Sequence, residues 1–199
     1  MALTHLLYLH GFRSSPASFK AQMLARHVAH LNDGGATLHW ACPQLPPSPA
    51  EAMALVRSLV QDWPTDSMAV IGSSLGGFYA TVLAEARGCR AAVINPAVAP
   101  ARDLARYIGE QTHYHQPEDR FFFKPEFIAE FEALAPYPIT RPERYWRLVA
   151  MGDEVLQPPE MLAHYPGVPG PVLPASDHAV SDFADHLPGL WAWLTAAAA

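Results

Sequence analysis

Short apolar runs alternate with longer stretches of helical period along most of this chain. The β-type runs are Leu6–Leu9, Leu38–Cys42, Met68–Ile71, Ala91–Ile94, Trp146–Ala150 and Val172–Leu173. Several are apolar throughout, as strands buried on both faces require. Helical stretches fall between them at Ala17–Leu31, Ala50–Asp62, Leu75–Arg87 and Asp182–Ala196. Pro16 and Pro49 stand just ahead of the first two, where a fixed φ favours a helix start. This order predicts an α/β architecture, a mostly parallel central sheet flanked by helices.

The alternation lapses over 97–144. Pro-, aromatic- and charge-rich segments (His113–Pro117, Arg120–Phe123, Pro136–Pro142) surround one amphipathic helix, Lys124–Leu134. An excursion of this size between two strands predicts a small cap over the carboxyl edge of the sheet, where open α/β sheets hold their ligands. A surface decoration is the plainer alternative. Tyr107, Tyr114, Phe121, Phe122 and Phe123 suit an acyl pocket or ordinary packing equally.

The length of 199 residues fits one domain, 1–199, large enough to bury its own core. A net charge of −6, with the basic residues (Arg13, Lys20, Arg26, Arg57) scattered, argues against nucleic acid as a partner. Cys42 and Cys89 form no ligand or redox spacing and read as buried structural thiols. Met1–Tyr8 lacks a basic n-region and reads as a strand, not a signal peptide. No apolar run approaches the roughly 20 residues that span a bilayer. A soluble cytoplasmic protein is the expectation; the oligomeric state is not legible.

Chemistry concentrates at Gly72-Ser73-Ser74-Leu75-Gly76, a G-x-S-x-G between a β run and a helical run, which is the context of a nucleophile elbow. The glycines remove β-carbons that would collide across a sharp strand-to-helix turn, and the following helix aims its first amides toward the serine. Ser73 is the rival, but only Ser74 has glycine at both −2 and +2. Upstream, Leu9-His10-Gly11-Phe12 ends the first strand. A second backbone donor comes from such a loop, so the Phe12 and Leu75 amides are the expected oxyanion hole, with His10 bracing the loop.

A serine hydroxyl needs a base, and the base an orienting acid, in the chain order Ser, acid, His. Of the later histidines, His164 and His186 fall within helical stretches, whereas His178 lies between the last strand and the last helix. His178 is therefore the expected base. Gly152-Asp153-Glu154 follows the strand Trp146–Ala150; both carboxylates are available and Asp153 is favoured. Asp103 is more remote, and Asp177 is poorly placed to reach the far ring nitrogen of its neighbour. His113 and His115, near Glu118 and Asp119, lack a helix-spaced third ligand, so no metal is expected. No other cofactor is implied.

With these pieces assembled, the chain resembles the bacterial YqiA/YcfP-type esterases, which are small α/β-hydrolases. The resemblance rests on Leu7–Phe12 with Ser14-Ser15-Pro16, Gly72–Ala80, Asn95–Val98, Gly152–Leu156 and Asp177-His178-Ala179, in order over nearly the whole chain. It implies the α/β-hydrolase fold and hydrolysis of short- to medium-chain carboxylic esters or thioesters. Ser74, Asp153 and His178 carry over as the triad. The base loop Ala175–His178 and segment 111–145 depart from the family pattern and leave substrate preference open. Two rivals stand beside this reading: peptide or C–C bond hydrolysis on the same triad, and a non-catalytic binding protein that kept the fold.

Overall fold

The computed structural model describes residues 2–135 and 138–196, so Met1 and the first two residues of the Pro136–Pro142 stretch lie outside the described residues. In chain order, β1 (His5–Leu9), β2 (His39–Ala41), β3 (Met68–Ser73) and β4 (Arg90–Ile94) precede a hairpin, β5 (Gly109–Thr112) and β6 (Arg120–Phe123). β7 (Tyr145–Ala150) and β8 (Val172–Leu173) follow it. The helices are α1 (Phe19–Asp33), α2 (Pro49–Leu59), α3 (Leu75–Arg87), α4 (Pro100–Leu104), α5 (Glu126–Leu134), α6 (Pro158–His164) and α7 (Phe183–Thr195).

The main sheet has six strands in the order β2-β1-β3-β4-β7-β8, and every pairing in it is parallel. Side chains alternate across the sheet, so the continuous apolar runs feed two cores. Leu7, Leu9, Val70 and Val93 face α2, α3 and α5, meeting Met53, Val56, Phe78, Phe127 and Phe131. Leu6, Tyr8, Ile71, Ile94 and Leu148 face α1 and α7, meeting Leu24, Val28, Phe183 and Leu190. Two-sided burial is the reason these strands carry no polar alternation. The sheet and its flanking helices have the α/β-hydrolase arrangement expected from the sequence.

Helix starts follow local chemistry. Ser48 caps α2 by accepting from the Glu51 amide at 3.2 Å, with Pro49 at the first helical position. α1 begins at Phe19, later than the pattern predicts, because residues 15–18 form a turn in which the Ala17 amide donates to Ser15 Oγ (3.1 Å). Three elements escaped the sequence pattern: α4, α6 and the hairpin. Arg120–Phe123, expected to be irregular, pairs antiparallel with Gly109–Thr112; its run of phenylalanines suits a pleated, half-buried surface. No helix among the described residues is long and apolar enough to cross a membrane.

The register brings five carboxyl-terminal strand ends to one edge. Leu9 pairs with Gly72, Ser73 with Ile94, and Ile94 with Leu148. The loops that leave these ends carry His10, Ser74, Asn95, Asp153 and His178.

Candidate active site

Ser74 is the single residue between β3 and α3, and its backbone is strained, with φ 56° and ψ −121°. A non-glycine residue in such a region costs on the order of 1–3 kcal/mol and persists only when its surroundings over-determine it. They do so here. The Ser74 amide donates to the Ile94 carbonyl (2.9 Å), and its own carbonyl accepts from the Gly77 (2.9 Å) and Ala97 (3.0 Å) amides. A β-carbon at Gly72 would stand 2.1 Å from the Gly76 carbonyl oxygen, and one at Gly76 would stand 1.9 Å from that of Leu9. No other residue type fits at either position.

His178 leaves the end of β8 and reaches across the edge. Its Nε2 is 3.0 Å from Ser74 Oγ, and its Nδ1 is 2.7 Å from Asp153 Oδ2. Since a carboxylate only accepts, Nδ1 carries the proton and the Nε2 lone pair faces the serine hydroxyl. The Asp153 side chain is fully buried and that of His178 is 19% exposed. The other Asp153 oxygen accepts from the Val155 and Leu156 amides, both at 2.8 Å. This ties the acid to its own turn.

The neighbouring carboxylates have other partners. Glu154, which the sequence left as a solvated neighbour, accepts from the His178 backbone amide at 3.0 Å, so Asp153 holds the ring and Glu154 the main chain. Asp103 accepts from Arg102 (2.8 Å). Asp177 accepts from the Ser181 hydroxyl and amide, which hold its carboxyl below the ordinary range. His186 pairs with Asp182 in α7, and His164 lies in α6, both away from Ser74.

His10 is buried and has a defined tautomer: Nε2 accepts from the Leu45 amide (3.1 Å) and Nδ1 donates to the Gly11 carbonyl (3.0 Å). Burial pushes its pKa down to about 4, so the ring is a neutral strut. The loop it holds touches the elbow, since a β-carbon at Gly11 would stand 3.2 Å from that of Ser74. Phe12 follows, its ring packed on Tyr107, Phe121 and Phe123 at 5.2–6.0 Å between centroids.

Beside Ser74 and His178 opens a cavity of about 490 Å³ whose apolar wall includes Phe12, Leu75, Leu104, Tyr107 and Leu156. Segment 97–144 supplies part of that wall. Of the five aromatics singled out in the sequence, Tyr107 and Tyr114 line the cavity, Phe121 and Phe123 pack on Phe12, and Phe122 is exposed. Lys20 also lines the cavity; burial lowers its pKa to about 8, and its ammonium donates to the Ala179 carbonyl in the base loop. His113 lies 3.9 Å from Asp119 and His115 3.2 Å from Ser15. Among the described residues no three His, Cys, Asp or Glu side chains converge as a metal-ligand set. Both cysteines are free; Cys89 is buried, but Cys42, which directly follows the edge strand β2, is only partly so.

Solved structures with this fold are similar over nearly the whole chain. A putative hydrolase from Agrobacterium vitis S4 superposes with a TM-score of 0.72 at 14% identity, covering 98% of this chain and 88% of that one. Alpha/beta hydrolase domain-containing protein 10 from mouse gives 0.69 at 18% identity, covering 96% and 91%. Est1E from Butyrivibrio proteoclasticus gives 0.62 at 15% identity, covering 98% and 86%. At these identities the likeness establishes the fold. The profile of an uncharacterised protein family, UPF0227, matches residues 5–195. The chain therefore belongs to UPF0227, the family of the YqiA/YcfP-type proteins.

Proposed function

We propose that this protein is a serine hydrolase that cleaves short- to medium-chain carboxylic esters or thioesters, with Ser74, His178 and Asp153 as its triad. The observation that carries the reading is the continuous relay from Ser74 Oγ to His178 Nε2 (3.0 Å) and from His178 Nδ1 to Asp153 (2.7 Å). Both distances lie within the reach that general-base activation of a hydroxyl needs.

In the first half-reaction Ser74 Oγ attacks the substrate carbonyl carbon while its proton passes to His178 Nε2. The carbonyl π electrons move onto oxygen, and the amides of Phe12 and Leu75 hold the resulting oxyanion. Each such donor contributes about 3 kcal/mol to transition-state stabilisation. Collapse of the tetrahedral adduct breaks the bond to the leaving alkoxide or thiolate, which takes the proton from His178. Water, deprotonated by His178, then attacks the acyl-serine; the carboxylic acid leaves and Oγ regains its proton. Asp153 keeps the imidazole in one tautomer and stabilises its charged form throughout. Segment 97–144 acts as a cap on a single-domain enzyme, and the apolar wall it shares with Phe12 and Leu156 takes the acyl chain.

The test is hydrolysis of p-nitrophenyl acetate, butyrate and octanoate by the wild type and Ser74→Ala. Turnover that peaks at a short or medium chain and disappears in the variant supports the reading. Equal turnover in the two proteins overturns it.

A further inference from the structure

The serine-hydrolase reading leaves unexplained a buried polar side chain beneath the site. Asn95 is the first residue after β4; it is 0% exposed and has φ 40°, in the left-handed region. We propose that Asn95 is a positioning residue, whose amide fixes the backbone of His178 against the strand end leading to Asp153 and so sets the proton-transfer geometry at Ser74. The proposal rests on the triad reading above.

The amide is used from both ends. Asn95 Oδ1 accepts from the Ala150 amide at 2.7 Å, and Nδ2 donates to the carbonyls of Asp177 (3.1 Å) and His178 (3.0 Å). Its orientation follows from its partners, because an N–H must face oxygen and two carbonyls must face the NH₂ group. The geometry also explains why the position departs from sheet structure. Asn95 N–H donates to the Leu148 carbonyl (2.9 Å), so in a continued parallel ladder the Ala150 N–H would meet the carbonyl of residue 95. The positive φ turns the main chain away, and the side-chain oxygen stands in for it. Asparagine is among the few residues that tolerate this conformation.

One short segment thereby holds three backbones. Ile94 and Ala97 grip Ser74 through its amide and carbonyl, at 2.9 and 3.0 Å. The Asn95 side chain joins the end of β7, three residues before Asp153, to the carbonyl of His178. The Nδ1···Asp153 bond then closes a ring of contacts around the acid–base pair. A residue that only filled space here would leave the buried Ala150 amide and the His178 carbonyl without this partner, while the Asp177 carbonyl would keep its bond from the Val180 amide (3.1 Å).

Two substitutions separate the amide from the backbone it sits on. Asn95→Gly accepts the left-handed φ without steric cost and removes the side chain; Asn95→Asp keeps size and turn preference but sets a carboxylate against two carbonyls. For each, kcat and KM on p-nitrophenyl butyrate are measured per active site, titrated with a fluorophosphonate. The downfield proton resonance of the His178 Nδ1–H···Asp153 bond is recorded alongside. The expected result is a fall in kcat per titrated site of about 30- to 100-fold, the scale of an ångström-level misplacement, with KM within about twofold and the resonance lost or broadened. Wild-type kcat per site with an unchanged resonance in either folded variant overturns the proposal. If the wild type neither labels nor turns over any ester, the function reading fails, and the resonance alone decides: its loss in Asn95→Gly supports the clamp, and its persistence overturns it. Should Asn95→Gly not fold, Asn95→Asp carries the same comparison.

Discussion

The turn that carries Ser74 and the loop that carries His178 meet at 3.0 Å, yet they are held by different means. The elbow is fixed by backbone against backbone: three main-chain hydrogen bonds on Ser74, and glycines whose missing β-carbons leave about 2 Å to neighbouring carbonyls. The His178 loop is fixed by side chains reaching in from elsewhere: Asp153 on the ring, Glu154 on the amide, Asn95 on the carbonyl. The first design admits almost no substitution and stores strain. The second can be dismantled one hydrogen bond at a time, so graded effects should be confined to it.

The largest effects come from the chemical groups themselves. Ser74→Ala should lower kcat by on the order of 10⁵- to 10⁶-fold with the fold intact, measured by ester turnover and circular dichroism. Asp153→Asn preserves shape but offers the ring an amide that can donate, and should cost about 10⁴-fold in kcat; the rate of labelling by a fluorophosphonate checks it. If Glu154→Gln were the more damaging change, the acid assignment would be wrong.

Breaking the elbow should instead cost folding. Gly76→Ala puts a β-carbon 1.9 Å from the Leu9 carbonyl oxygen, and should destabilise by about 3 kcal/mol or more in a denaturant melt. The brace behind the elbow should show a pH signature of similar size. The pKa of His10 is lowered by burial to about 4 in the fold, against about 6.5 in the unfolded chain. Between those values the unfolded chain binds more protons, so stability is full above pH ~6.5 and falls as pH drops toward 4, by on the order of 3 kcal/mol. His10→Gln should flatten that part of the stability–pH curve, whatever its stability at neutral pH. The smallest effect belongs to the exposed Glu154: Glu154→Ala removes one partly screened contact to the His178 amide and should slow turnover about fivefold.

The same contrast explains what could be read from the sequence. The sheet was legible because strands buried on both faces must be apolar throughout, and the elbow because its glycines are dictated by sterics over five consecutive residues. Chain order and the strand-end turn singled out His178 and Asp153 as candidates; the His178 ring does meet Ser74, and Asp153 meets the far side of that ring. Glu154 and Asn95 were not legible as supports. Their partners are backbone groups 24 residues away for Glu154 and 55 and 83 away for Asn95, and no local spacing encodes a contact of that kind. A visible hint was Asn95-Pro96 directly after a strand, a turn signal that marks the position without revealing what the side chain binds. The hairpin at 109–123 was obscured by its charges and by Pro117, and by a strand pairing that is itself only four residues long on each side.

The central claim is that Ser74 is an activated nucleophile, and it is tested most directly by intact-mass and peptide analysis after a fluorophosphonate reaction. One adduct per chain is expected, located on Ser74, absent in Ser74→Ala and formed far more slowly in His178→Ala. An adduct on Ser73, or none on the folded wild-type protein, would contradict it.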